Sequence, residues 1–224
     1  MHIDDATAAL IEAGRRLGAR GLISAGEGNL SVRLDDERLL ITPTGRRKDE
    51  LGPDDLVVLR RGHPGSEDAR SRSGLVPSSD RRIHLAAHAA RTDIAAVAHA
   101  HLPASMALTL AGEIPDPAAL PETAHFIPRL PYLAFGEMGS QELADRISAV
   151  FADPTEPRAV VVLLERHGAV AVGPDVATAV DRLELVEVLC RTWRDALLLR
   201  AARRTLDGPA IVAAPSGMTR PREG

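Results

Sequence analysis

The sequence predicts a single α/β domain, on three observations. Apolar residues recur at helical spacing near both ends of the 224-residue chain, short apolar runs of strand length lie between those stretches, and turns rich in Gly, Pro, Asp and Ser punctuate them. No second composition block divides the chain, which is long enough to bury one sizeable core. The domain is expected over residues 1–205. Residues 206–224 form a Pro-, Gly- and Arg-rich tail, expected to be disordered unless a neighbouring subunit orders it.

Residues 4–20 read as a first helix, with Asp4 or Asp5 as N-cap and Leu10, Ile11, Gly14 and Leu17 on one stripe. The stretch from Ser24 through Gly26, Gly28, Asn29 and Ser31 to Arg33 is a glycine-rich turn running into a strand. Glycines let the backbone approach a ligand there, and Asn29 and Ser31 add side-chain donors. Further strands are expected at 39–42, followed by Pro43-Thr44-Gly45, and at 57–60. The polar connection 61–76 reads as a mobile surface loop. Ser78, Ser79 and Asp80 then open a helix, where any of them can cap and where free N–H groups favour an anion. The turns at Gly28-Asn29, Thr44-Gly45 and Ser78-Ser79 are therefore three separate loops of the kind that hold phosphate through neutral donors.

Residues 93–101 read as a strand, because an apolar run from Ile94 to Ala98 follows Arg91-Thr92-Asp93. Side chains two apart on a strand share a face, so His99 and His101 stand side by side while Ala98 and Ala100 turn away. A third imidazole, His167, follows another strongly apolar run. Three histidines with an open fourth position describe a catalytic zinc site, one ion per chain. His84 and His88, four apart on a helix, also suit a metal, but their company is alanine rather than further ligands. Beyond His101 the spacing predicts a short helix at 103–111, an irregular Pro-rich segment at 113–131 holding Glu122 and His125, and a helix at 140–151. Strands at 158–164 and 169–172 precede a long helix that runs from Gly173-Pro174-Asp175 to about residue 204.

Composition narrows the function. A net charge of −4, with no basic stripe interleaved with aromatics, argues against nucleic acid as a partner. Lys48 is the only lysine, so Schiff-base chemistry would have to use that amine. The single cysteine, Cys190, excludes a disulfide framework or a thiolate metal site within one chain. An acidic start and short apolar runs give no signal peptide and no membrane span, so a cytoplasmic protein is expected.

The motifs GNLSVR, ITPTG, PSSD followed by His84, VAHAH and ERHGAVAVG, in this order and at these separations, resemble the class II aldolase/adducin-like family, which includes fuculose-phosphate aldolase and ribulose-phosphate 4-epimerase. The resemblance runs from Gly21 to about Arg200. It implies a three-layer α/β/α fold with a central, mainly antiparallel sheet, and a homotetramer with zinc-containing active sites at subunit interfaces. Carried over residue by residue, it makes His99, His101 and His167 the zinc ligands. Gly28, Asn29, Thr44, Gly45, Ser78 and Ser79 become the substrate's phosphate holders, and Asp80 the acid/base carboxylate.

Three departures from the family pattern bear on the reaction. Family aldolases usually have glutamate where Asp80 stands, while the epimerase branch has aspartate; the family's C-terminal tyrosine has no match, Tyr132 being the only tyrosine; and the epimerase branch's second aspartate has no match in the stretch from Pro121 to Phe126. Glu122 is the residue the sequence offers for the second proton transfer, as a carboxyl drawn toward neutrality by partial burial, with His125 second. The expected function is a zinc-dependent lyase, an aldolase cleaving a small phosphorylated ketose to dihydroxyacetone phosphate and an aldehyde. On the same site a 4-epimerase, a sugar-phosphate dehydratase or a sugar-acid phosphate decarboxylase are the alternatives. A non-catalytic interaction domain like the adducin head is the alternative from another class.

Overall fold

The structure, a computed structural model, describes residues 1–61 and 69–206. The expected tail beyond 206, and residues 62–68 of the loop at 61–76, lie outside those residues. The described end of that loop, at 71–75, is a tight turn closed by the Ser71 N–H on Leu75 O at 2.9 Å.

A seven-stranded sheet forms the centre. Its strands are β1 (Asn29–Arg33), β2 (Arg38–Ile41), β3 (Val57–Arg60), β4 (Ala96–Ala100), β5 (Tyr132–Leu133), β6 (Val161–Leu164) and β7 (Gly168–Gly173), in the order β3-β2-β1-β4-β7-β6-β5. Every pairing is antiparallel except the short edge pair of β5 with β6. Helices α1 (Ile3–Ala19), α3 (Pro103–Leu110) and α6 (Val176–Leu206) cover one face, and α2 (Arg81–Ala90) and α5 (Gln141–Ala152) the other. This is the α/β/α sandwich with a mainly antiparallel sheet.

Period-two alternation decides which side chain serves which layer. On β4, Ala96, Ala98 and Ala100 face the core beneath α1, α3 and α6, while Val97 packs with Ile83, Ile147 and Phe151 beneath α2 and α5. Small side chains on the first face let the helices approach, and each fully buried Val or Leu in these layers contributes roughly 1.5–3 kcal/mol. His99 shares the face of Val97. Its strand partners are Asn29 on β1 and Val170 on β7, so the fold sets an imidazole at the end of a fully buried central strand.

Several local expectations are corrected. His2, not Asp4 or Asp5, caps α1, its Nδ1 accepting from the Asp4 N–H. The segment expected to be irregular contains a short helix, α4 (Pro121–Phe126), with proline at its first position, where the missing N–H has no intrahelical partner to lose. Asp80 stands at the N-cap position of α2 without capping it, its carboxylate turning to Asn29 instead. Just beyond His101, the start of α3 is fixed from α6: the buried carboxylate of Glu187 accepts the Ala104 N–H at 3.1 Å and pairs with Arg191 at 2.8 Å.

Candidate metal centre

His99, at the end of β4, His101, just past it, and His167, in the turn between β6 and β7, come together in space. Their ring centroids are 5.0, 4.8 and 4.8 Å apart, and one ligand atom from each lies within 4.8 Å of the others. Backbone geometry brings β7 close enough to do this. Gly168 has a φ of +99°, and a Cβ there would meet Ala100 O at 2.1 Å, so no side chain fits between that turn and β4. Gly28 does the same on the other flank, with a φ of +71° and a would-be Cβ 2.6 Å from Ile23.

The imidazole nitrogens differ in their partners. His99 Nδ1–H donates to Ala169 O at 2.9 Å, and His101 Nδ1 faces the Glu27 carboxylate at 2.9 Å. The Nε2 atoms of His99 and His167 are buried and have no hydrogen-bond partner. Orphaned buried nitrogens are costly unless something binds them. Desolvation and the neighbouring rings hold His99 well below the ordinary imidazole value and lower His167 as well, so both are neutral at pH 7, the form that ligates metal. The donor set thus fits a cation with three nitrogen ligands and an open position.

Glu27 was not singled out by the sequence reading, although it sits inside the glycine-rich turn. Its Oε1 accepts the Ser24 N–H at 2.9 Å, which locks the turn and aims Oε2 at His101. A carboxylate in that place fixes the tautomer and raises the basicity of a ligating ring. Glu27→Gln is expected to weaken metal affinity roughly 10- to 100-fold. Chelator competition on the purified protein measures this, and an unchanged affinity would remove Glu27 from the site.

Beside the histidines lies a cavity of about 230 Å³, lined by Gly26, Glu27, Gly28, Asn29, Thr44, Lys48, Ser78, Ser79, Asp80, His101 and Met138. All three predicted loops reach it. The backbone ties them together: Thr44 N–H bonds Val76 O at 3.1 Å, Ser78 N–H bonds Thr42 O at 3.2 Å, and Pro43 bridges Pro77. Gly45 sits behind the lining, its Cα 3.5 Å from where a Cβ on Gly26 would lie. Lys48 and Met138 are further lining residues that the sequence reading did not assign.

Asp80 is 3% exposed. Its Oδ2 accepts from Asn29 Nδ2 at 2.9 Å, while Oδ1 is buried without a partner. Behind Asn29 runs a buried chain: His84 Nε2 to Asn29 Oδ1 at 2.6 Å, Ser31 Oγ to His84 Nδ1 at 2.7 Å, and Ser31 Oγ to His88 Nε2 at 2.9 Å. Because the Asn29 amide nitrogen serves the carboxylate, its oxygen accepts from His84 Nε2–H. His84 Nδ1 then accepts from the Ser31 hydroxyl, while Ser31 Oγ also meets Nε2 of His88, whose Nδ1 lies 3.3 Å from Ile94 O. Burial pushes both imidazoles down to about 3, so they are neutral. These histidines thus lie outside the metal cluster and hold Asn29 against Asp80.

Glu122 is elsewhere. It is exposed on the first turn of α4, a helix packed on α6, and neither it nor the exposed His125 lines the cavity. The partial burial expected for Glu122 is not found within the chain.

A three-layer sandwich with three histidines clustered at the end of its central strand, in an arrangement that could hold a cation, beside loops rich in neutral donors, is an architecture of the class II aldolase type. The family described as "Class II Aldolase and Adducin N-terminal domain" matches residues 8–194, and the chain belongs to that family. The 3-oxo-tetronate 4-phosphate decarboxylase of Haemophilus influenzae is 31% identical over 185 residues, covering 80% of this chain and 81% of the relative. The 5-methylthioribulose-1-phosphate/5-deoxyribulose-1-phosphate aldolase of Rhodospirillum rubrum is 32% identical over 192 residues, covering 83% and 79%. Among solved structures, L-fuculose-1-phosphate aldolase from Thermus thermophilus superimposes with a TM-score of 0.70 at 27% identity, covering 91% of this chain and 97% of that one. No helix among the described residues is long and apolar enough to cross a membrane.

Proposed function

We propose that this protein is a zinc-dependent aldolase that cleaves a small phosphorylated ketose to dihydroxyacetone phosphate and an aldehyde. The observation that carries the reading is the buried, unpartnered Oδ1 of Asp80 in a cavity shared with His101 and with the three donor loops. His99, His101 and His167 would hold the zinc. When bound, it supplies Lewis acidity toward the ketose carbonyl and the adjacent hydroxyl. The loops at Gly28-Asn29, Thr44-Gly45 and Ser78-Ser79 hold the phosphate and so fix which carbon lies over Asp80. When the C3–C4 bond breaks, the electron pair left on C3 takes up a proton, and Asp80 is the group placed to hold that proton. Retention of the triad together with Asp80 favours an enzyme over a binding module, which has no use for an open cation site. Names of relatives that act on sugar phosphates, the decarboxylase and the aldolase alike, support the substrate class. A part for Glu122 in the second proton transfer requires its presentation to a neighbouring chain's site, as in the homotetramer the family resemblance implies.

The test is a screen of phosphorylated ketoses with zinc-loaded protein and detection of dihydroxyacetone phosphate, with a chelator abolishing the signal. Consumption of a substrate with release of carbon dioxide or water, and no dihydroxyacetone phosphate, would reject the aldolase assignment. On the substrate so found, Ser79→Ala is expected to raise KM roughly tenfold by removing one hydrogen bond to a charged group, with kcat nearer to wild type. Equal KM changes for phosphorylated and unphosphorylated analogues would show that Ser79 does not contact the phosphate.

A further inference from the structure

The chain has 27 basic residues, and Lys48 is the only lysine among them. It is also 2% exposed and lines the cavity, where no arginine is among the described lining residues. Its place is set from below. Lys48 opens the short 3-10 turn Lys48–Glu50 packed on α1, and Gly14 of α1 comes so close that a Cβ would lie 2.0 Å from Lys48 O. From there the side chain reaches between two loops, and Nζ donates to Gly26 O at 2.6 Å and to Arg46 O at 2.7 Å. Those carbonyls belong to the loops that carry Gly28-Asn29 and Thr44-Gly45.

An ammonium has three donors, and two are accounted for. A guanidinium is wider and planar, with five donors in a fixed fork, and it does not fit between two carbonyls that a compact tetrahedral cation bridges. A chain that uses arginine at every other basic position departs from it at this one. We propose that Lys48 is the anion-binding cation of the cavity: its ammonium staples the two donor loops together and gives its remaining N–H to the substrate's phosphate. This rests on reading the cavity as a phosphate site.

The electrostatics agree with that geometry. Desolvation pushes the amine down to about 8, against the opposite pull of the Asp80 and Glu27 carboxylates, the charged groups that face it. It is therefore cationic at neutral pH in a dry position, where an added anion gains most. The sign follows from linkage. An anion that binds the ammonium raises its pKa, and by reciprocity the anion's affinity falls as pH rises through about 8.

Because the lysine is unique, full-length protein labelled with 13C-lysine gives one Cε resonance, which can be titrated without any mutation. With saturating inorganic phosphate its midpoint should rise by about one unit, and phosphate affinity measured by calorimetry, expressed per dianion, should fall about tenfold between pH 7 and 9.5. Lys48→Met should weaken phosphate binding roughly tenfold or more and abolish that pH dependence, with Lys48→Arg failing to restore either. If phosphate saturates the protein while the lysine midpoint stays where it was, the loops bind it without Lys48 and the proposal is wrong. Should Lys48→Met not fold, the wild-type resonance decides alone. Absence of phosphate binding in every form would instead overturn the phosphate site itself, and the lysine's role with it.

Discussion

Replacing His99 and His101 together with alanine is expected to reduce zinc from about one ion per chain to a trace, and to abolish turnover. The expectation comes from what surrounds the two rings. His99 commits Nδ1 to Ala169 O and His101 commits its own Nδ1 to Glu27, so each has a single nitrogen left for a ligand, and His99 Nε2 is buried with nothing to bond. With both gone, His167 would be the only imidazole left in the cluster, and one neutral nitrogen does not hold zinc. The fold should survive the change. The β4 ladder to β1 and β7 is made by backbone groups, and alanines already occupy most of that strand. Metal analysis beside a circular dichroism spectrum checks this. A folded double mutant that kept its full complement of zinc would sink the site assignment.

The parts of this site that were legible in the sequence are those written in local patterns. His99-Ala-His101 is readable because strand periodicity fixes the relation of two side chains two residues apart. The three donor loops are readable because glycine and hydroxyl residues mark turns wherever they occur. Glu27 and Lys48 escaped because their meaning depends on partners brought in by the sheet: Glu27 serves His101 across the cavity, and Lys48 joins carbonyls of separate loops. The pair His84 and His88 shows the converse. Four-residue helical spacing says the two rings share a face, but only the packing of α2 on β1 shows that Ser31 and Asn29 lie beneath that face and, among the described residues, the metal-ligating group forms elsewhere. Glu122 was placed by its neighbours in sequence, and no pattern in a proline-rich segment says which way it turns. The α4 helix, starting on proline, carries it onto the surface.

Asp80→Asn is expected to lower kcat by roughly 10² to 10⁴ with little change in substrate binding. The substitution is a near-isostere, and the hydrogen bonds around it can be kept. Asn29 Nδ2 donates to one oxygen of the carboxylate, and an amide oxygen accepts that bond equally well. The chain through His84, Ser31 and His88 would still hold Asn29 in the orientation that presents its nitrogen to residue 80. What changes is the other atom. In the native protein Oδ1 lies buried with no partner, the position from which the proposed proton transfer would run; in the variant an NH₂ group stands there and cannot carry it. Metal content should stay at the wild-type level, because Asp80 is not a member of the histidine cluster. A purified Asp80→Asn enzyme with full zinc and turnover within a few-fold of wild type would show that the proton moves through another group. Glu27, whose carboxylate lines the same cavity, would then be the first to test.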